Sequence, residues 1–139
     1  MSTDAAVRGR AILGELAPDG GAVLLRSLEA GAPDFARHVV DFAFGEICAR
    51  PGLDLRTREL LTVAALTALG TARPQLEFHI RAAERCGCTR TEIVEAIVQM
   101  AVYAGFPAAL NGITAARGVF GETDEEIAPR IPGRSLNGP

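Results

Sequence analysis

The chain has 139 residues, of which 48% are apolar and 22% charged, and its formal net charge is −3. This length and balance are typical of one globular domain with its own core, so we expect residues 1–139 to form a single domain. No basic run is paired with stacking aromatic residues, so we expect no nucleic-acid interface. The 14 side chains counted as lysine or arginine are all arginine, which excludes lysine Schiff-base chemistry.

The chain start shows no targeting or membrane-spanning pattern. Residues 1–16 contain acidic residues and two arginines, and they lack a continuous apolar stretch. We therefore expect no membrane association and a cytoplasmic location. Cys48, Cys86 and Cys88 have neither metal-binding nor redox spacing, so free thiols and no metal site are expected.

The first third of the chain predicts three helices. A helix over 4–15 precedes the break at Pro18-Asp-Gly-Gly21, and a second helix covers 22–30. Another break at 31–33 leads to a third helix. The predicted inward positions are Ala6, Ile12 and Leu13 in the first helix, and Phe35, Val39, Phe42 and Ile47 in the third.

The remainder also reads as helices joined by short breaks. After a turn at 50–53, the run RTRELLTVAALTALG is apolar nearly all round, which predicts a central helix ending at Gly70. The next helix has Pro74 near its start and ends near Cys86, and Thr89 with Glu92 forms a capping-box pattern before another. That helix presents Ile93, Ile97, Met100 and Ala104 and ends at Gly105 and Pro107; a last helix over 108–119, an acidic helical turn at 124–127 and a flexible tail over 128–139 follow. The fold class predicted is an all-α, single-domain helical bundle.

His79 and Glu59 are the candidate acid–base residues. His79 shares a helical face with Leu76, Ala83 and Cys86, and imidazole titrates near physiological pH. Such a histidine is also commonly a core residue. Glu59 lies near the start of the most apolar helix, where it can be a surface acid favoured by the helix dipole or, if close to His79, part of a site. Both interpretations stay open for each residue.

Other candidates are binding residues. Arg50, Arg56 and Arg58 cluster around a turn and a helix start, a suitable place to hold a carboxylate, although solvated surface charge explains them equally. Tyr103 precedes a helix break, where its hydroxyl could reach a cavity or pack in a corner. Phe44 and Phe106 are expected in the core or a pocket wall, and Cys86 and Cys88 are expected to be structural.

Several motifs occur in a characteristic order over residues 42–116. They are the Arg-Pro-Gly-Leu turn, the Arg-x-Arg helix start, the histidine in PQLEFHIRAA, the Gly-x-Thr-x-x-Glu-Ile junction and Tyr-Ala-Gly-Phe-Pro-Ala-Ala-Leu-Asn. In order and spacing they resemble the carboxymuconolactone decarboxylase family, with a core region over about 35–122.

The resemblance implies an all-helical homo-oligomer, a trimer or hexamer, without metal or organic cofactor. It also implies a carboxy-lyase that decarboxylates gamma-carboxymuconolactone to an enol-lactone in aromatic-compound catabolism, the β-ketoadipate pathway. For such a small anionic substrate, His79 would stabilise the dienolate and deliver a proton, and Arg50, Arg56 or Arg58 would hold the retained carboxylate. Tyr103 would be a secondary donor.

Two alternatives accompany this interpretation. The alkylhydroperoxidase-like branch uses a Cys-x-x-Cys pair, but Ala72 and Gln75 occupy those positions here, so a thiol-dependent peroxidase would need Cys86 or Cys88. Glu59 matches that branch's acid to within one residue, whereas many decarboxylase-branch members resemble this chain but have a small residue there. The other alternative is a cyclase, isomerase or other ring-modifying enzyme of specialised metabolism on the same fold.

Overall fold

The computed structural model describes residues 3–121, and within this range every regular element is a helix. The all-α prediction is thereby confirmed. The acidic turn at 124–127 and the tail over 128–139 lie outside the described residues. None of the helices in the described range is both long and apolar enough to cross a membrane.

The helices follow the predicted order, with short connections. Thr3, Asp54 and Thr89 accept hydrogen bonds from backbone amides at three helix starts, and the capping box of Thr89 and Glu92 is confirmed. Pro107 lies in the first turn of the last helix rather than after the previous one. The elements are α1 (Asp4–Leu16), α2 (Ala22–Gly31), α3 (Pro33–His38) continuing as a π-helix (Val39–Cys48), α4 (Leu55–Leu69), α5 (Arg73–Arg85), α6 (Arg90–Ala104) and α7 (Phe106–Phe120).

The third predicted helix differs most from expectation. Ala36, Val40 and Phe44 are its buried apolar residues, whereas Phe35 and Phe42 are each 57% exposed. Ile47 is also exposed, so the prediction was wrong for Phe35, Phe42 and Ile47, whereas Val39 is partly buried and packs against core residues. The buried residues Ala36, Val40 and Phe44 follow one another at intervals of four and begin one residue after the predicted Phe35, so the buried face is rotated about the helix axis; from Val39 onwards the i→i+5 hydrogen bonds of the π-helix also add residues to each turn.

The buried side chains form two clusters. The first, the large core, joins α4, α5, α6 and α7 around Val63, Ile80, Ile93 and Ile97. The second, the N-terminal core, joins α1 and the π-helix around Leu13, Leu16, Val40 and Phe44, with Ala82 of α5. Because α5 contributes to both clusters, it connects the N-terminal part of the fold with the four-helix part.

The helix α4 is less enclosed than predicted. Its buried residues are Glu59, Val63 and Thr67, which follow one another at intervals of four. Leu61 and Leu69 are 55% and 65% exposed. In the single chain α4 therefore buries one face against the bundle, although its sequence is apolar nearly all round.

Candidate active site

The structure brings the two acid–base candidates together. Nδ1 of His79 lies 2.7 Å from Oε2 of Glu59. The side chain of Glu59 is 1% exposed, and that of His79 is 18% exposed. An ionised carboxylate can only accept hydrogen bonds, so against ionised Glu59 the donor is Nδ1, and Nε2 remains for another partner.

Helix register explains why the pair forms. Glu59 occupies the buried face of α4 with Val63 and Thr67, and His79 lies beside Leu76 and Ile80 on the buried side of α5. The two helices pack against each other, so their facing positions are close although 20 residues separate them. Burial of Glu59 contradicts the interpretation of this residue as a surface acid.

His79 reaches a cleft of about 590 Å³, a size typical of small-molecule sites. One wall is α5, where the Phe78 ring meets the imidazole edge-on with centroids 5.0 Å apart. The opposite wall comes from the end of α1, the following turn and α2. The residues that line the cleft are Leu16, Ala17, Pro18, Asp19, Gly21, Val23, Leu24, Ser27, Pro74, Gln75, Phe78, His79 and Arg81.

Asp19 in this wall has a local structural role. Its Oδ1 accepts a hydrogen bond from the amide of Gly21 and its Oδ2 one from the amide of Val23, each at 3.0 Å. These amides at the start of α2 hold the pKa of Asp19 below its usual value. Each carboxylate oxygen thus accepts one hydrogen bond from the backbone, and these bonds hold in place the turn that shapes the wall.

The three cysteines lie where thiolates are disfavoured. Burial raises the pKa of Cys48 and Cys88, and burial followed by the charge of Glu59 raises the pKa of Cys86 to about 11. A raised pKa keeps a thiol protonated and unreactive at neutral pH. Within residues 3–121 no three histidine, cysteine or acidic side chains gather in a way that could hold a metal ion.

The three predicted arginines lie away from the cleft. Arg56 pairs with Glu92 and also donates to the carbonyl of Gly87. Arg58 donates through Nη2 to the carbonyl of Arg50 at 3.0 Å, and Arg50 itself is exposed. None of the three lines the cleft, so their binding role stays a prediction.

The predicted aromatic residues are also separated from His79. Tyr103 and Phe106 are 78% and 74% exposed, and Phe44 is buried in the N-terminal core. Their predicted site roles stay predictions. The sequence analysis did not identify Arg81 or the wall from α1 and α2 as parts of the site. The sequence feature that could have pointed to Arg81 is its position two residues after His79 on α5.

The protein thus belongs to the class of all-helical bundles in which a buried carboxylate contacts a histidine at a cleft. A carboxylate and a histidine in this arrangement are groups that can transfer protons. Within that class, the chain belongs to the carboxymuconolactone decarboxylase family, whose family model matches residues 33–118.

Curated relatives agree with this membership. The chain is 40% identical over 105 residues to 4-carboxymuconolactone decarboxylase of Acinetobacter baylyi, covering 76% of each chain. It is 39% identical over 103 residues to an uncharacterized 15.0 kDa protein in the nqo9-nqo10 intergenic region of Paracoccus denitrificans, covering 73% of this chain and 77% of that protein. A third relative, nitrosuccinic acid decarboxylase npaB of Metarhizium robertsii, is 36% identical over 75 residues, or 54% of this chain and 52% of that protein.

Proposed function

We propose that the protein is a cofactor-free carboxy-lyase that decarboxylates a carboxylated lactone resembling gamma-carboxymuconolactone. The observation that carries the proposal is the pairing of buried Glu59 with His79 beside a largely apolar cleft. Family membership and two relatives named as decarboxylases support a decarboxylase-like activity. The finer assignment, the lactone and its place in aromatic-compound catabolism, is part of the proposal.

The chemistry needs one proton donor and one place for negative charge. The bond between the ring carbon and the departing carboxylate breaks, carbon dioxide leaves, and the electron pair delocalises onto the lactone carbonyl. The substrate's own conjugation accepts these electrons. His79 then donates a proton through Nε2 to carbon, and solvent returns that proton, so each turnover consumes one proton and releases one carbon dioxide.

Glu59 is the positioning residue in this scheme. Its hydrogen bond to Nδ1 fixes the imidazole orientation, and its buried negative charge stabilises positive charge on the ring. Leu16, Leu24 and Phe78 form an apolar lining beside His79. Such a lining solvates the charge of the departing carboxylate poorly, which favours its conversion to neutral carbon dioxide.

The substrates named for two relatives share one chemical property. Succinic acid derivatives have two carboxyl groups, and 4-carboxymuconolactone has the carboxyl group of muconolactone besides the one at position 4. After decarboxylation each therefore keeps one carboxylate. We extend this property to the present chain and propose a small dicarboxylic acid as the substrate class.

An isomerase or cyclase on the same fold is the second candidate. The specific observation in its favour is Glu59 itself, because a histidine paired with a buried carboxylate can also move a proton between two carbons without losing carbon dioxide. A thiol-dependent peroxidase is less well supported, since burial raises the pKa of all three cysteines.

The first experiment measures carbon dioxide release and lactone absorbance with gamma-carboxymuconolactone. We expect turnover by the wild type and a loss of about 10²–10⁴-fold in kcat for His79→Ala. The matched control is His38→Ala, because His38 is the other histidine and is exposed on α3. Circular dichroism checks that both variants are folded.

The outcomes separate the candidates. Loss of lactone absorbance without carbon dioxide release would replace the decarboxylase with the isomerase or cyclase. No reaction by the wild type would overturn the lactone assignment. Equal turnover by folded His79→Ala and wild type would overturn the role of His79.

We also propose that the protein assembles as a homo-oligomer. Val102, Tyr103 and Phe106 are between 74% and 78% exposed, and Leu61 and Leu69 of α4 are exposed as well. These residues lie on α4, α6 and α7, which pack against one another. So many large apolar side chains on adjacent helices favour contact with further copies of the chain.

A further inference from the structure

We propose that Arg81 binds the carboxylate that the substrate keeps, and thereby selects dicarboxylic acids. This inference rests on the proposed function and deepens it. It assigns the binding role to a residue of α5 that lines the same cleft as His79, rather than to Arg50, Arg56 or Arg58.

The charges around the cleft favour this assignment. Arg81 is the arginine among the residues that line the cleft, and Asp19 is the acidic residue among them. Asp19 already accepts hydrogen bonds from the amides of Gly21 and Val23 with its two oxygens. Asp19 thus bonds to its own turn and not to Arg81, which leaves Arg81 as the arginine beside an anion that enters the cleft.

Arg81 also differs from the other arginines of α5. Arg73 pairs with Glu77 at 2.9 Å, and Arg85 donates to the carbonyl of Glu15 at 3.3 Å. Across the described part of the chain, Arg81 has no hydrogen-bond or ion-pair partner. Toward residues 3–121 its donors are free, and a guanidinium group matches a carboxylate with two parallel hydrogen bonds.

The arrangement orients a substrate with two carboxylates. Both residues line one cleft, and their positions differ by about 3 Å along α5 and about 200° around it, so the two groups serve different parts of that cleft. A carboxylate held at Arg81 leaves the other end of a small acid near His79, among mostly apolar side chains. The carboxylate that is retained therefore binds the positive charge of Arg81. The carboxylate that departs lies near His79, where the lining is mostly apolar.

The test compares Arg81→Gln and Arg81→Lys with Arg73→Gln, a control on the same helix whose guanidinium pairs with Glu77 instead of lining the cleft. Calorimetry measures the Kd of succinate, with butyrate as the monocarboxylate control, and kinetics measure KM and kcat for gamma-carboxymuconolactone. We expect Arg81→Gln to raise the Kd of succinate and the KM by about 10–100-fold, the effect of one charge-assisted contact. Arg81→Lys should recover part of the loss, Arg73→Gln should match the wild type, and butyrate, whose single carboxylate would also bind Arg81, should lose affinity in Arg81→Gln to a similar degree.

Failure of this inference is distinguishable from failure of the proposed function. Succinate binding that depends on Arg81 in a protein without lactone turnover would support the inference and overturn the function. Lactone turnover with equal KM in wild type and Arg81→Gln would overturn the inference and leave the function standing. Equal succinate affinity in both proteins, including no binding by either, would also overturn it.

Discussion

Glu59 is a carboxylate in the core face of a helix, where an acid without a partner is strongly destabilising. Its contact with Nδ1 of His79 compensates for its removal from water. His79 in turn lies partly exposed in the cleft. Glu59 is therefore enclosed by the core, whereas His79 can meet a molecule in the cleft. This division suits a positioning residue and a proton donor, respectively.

At the residue scale we predict that Glu59→Gln lowers kcat for the proposed decarboxylation by about 10²–10⁴-fold in a folded protein, because the neutral amide neither stabilises the charged ring nor enforces the protonation of Nδ1. The imidazole resonances of His79 in ¹⁵N NMR spectra should report the altered protonation independently of activity. Glu77→Gln is the control, since Glu77 pairs with Arg73 away from the cleft. Unchanged kcat and unchanged resonances in Glu59→Gln would contradict the positioning role.

At the scale of elements, α1 and the π-helix pack at unusually short range. A Cβ added at Gly9 would lie 2.1 Å from the carbonyl oxygen of Val40, and one added at Gly45 would lie 2.0 Å from that of Ala5. Nε of Arg8 donates to the carbonyl of Gly45 at 2.9 Å across the same contact. Because α1 leads directly into the cleft wall, this packing also positions the wall over His79.

Gly9→Ala should therefore destabilise the protein by about 1–3 kcal/mol or more, because the added methyl group meets backbone that must move. Gly14→Ala on the same helix is the matched control. A Cβ at Gly14 has nothing within 4 Å, so this substitution should stabilise α1 by about 0.5–1 kcal/mol. Urea denaturation measures both, and equal stability of the two variants would argue against the close contact of α1 with the π-helix.

At the scale of the whole molecule, the family match and the cleft cover different parts of the chain. The match begins at residue 33, whereas one wall of the cleft is formed by residues between 16 and 27. His79 and Arg81 thus belong to the matched region, and the opposite wall belongs to α1, α2 and their connection. Differences in substrate within the family can arise from such a wall without any change at the histidine.

Assembly is the prediction that belongs to this scale. Sedimentation equilibrium should give a mass of three or six times 14.6 kDa. Val102→Asp and Phe106→Asp should lower this mass, because a buried charge opposes contact between apolar faces. Val7→Asp is the control, since Val7 is 58% exposed on α1, away from α4, α6 and α7. A monomer at micromolar concentration would contradict the assembly.

Local chemistry by itself determines where the helices lie. The capping box of Thr89 and Glu92 and the breaks at Pro18 to Gly21 and at Gly70 act within a few residues, so the sequence alone indicates where helices begin and end. The ordered motifs over residues 42–116 likewise indicate the family without any knowledge of tertiary contacts. Histidine chemistry makes His79 a candidate on its own.

Only the tertiary structure decided which residues meet. An α4 sequence that is apolar nearly all round does not define a buried face, so the burial of Glu59 depends on how α4 packs against α5. Within residues 39–48 the structure buries Val40, Phe44 and Gly45 rather than the predicted Phe42 and Ile47. Arg81 became the candidate binding residue because α1 packs against α5 beside a cleft that both His79 and Arg81 line. These results rest on contacts between residues distant in sequence, and helix periodicity and capping contain no information about such contacts.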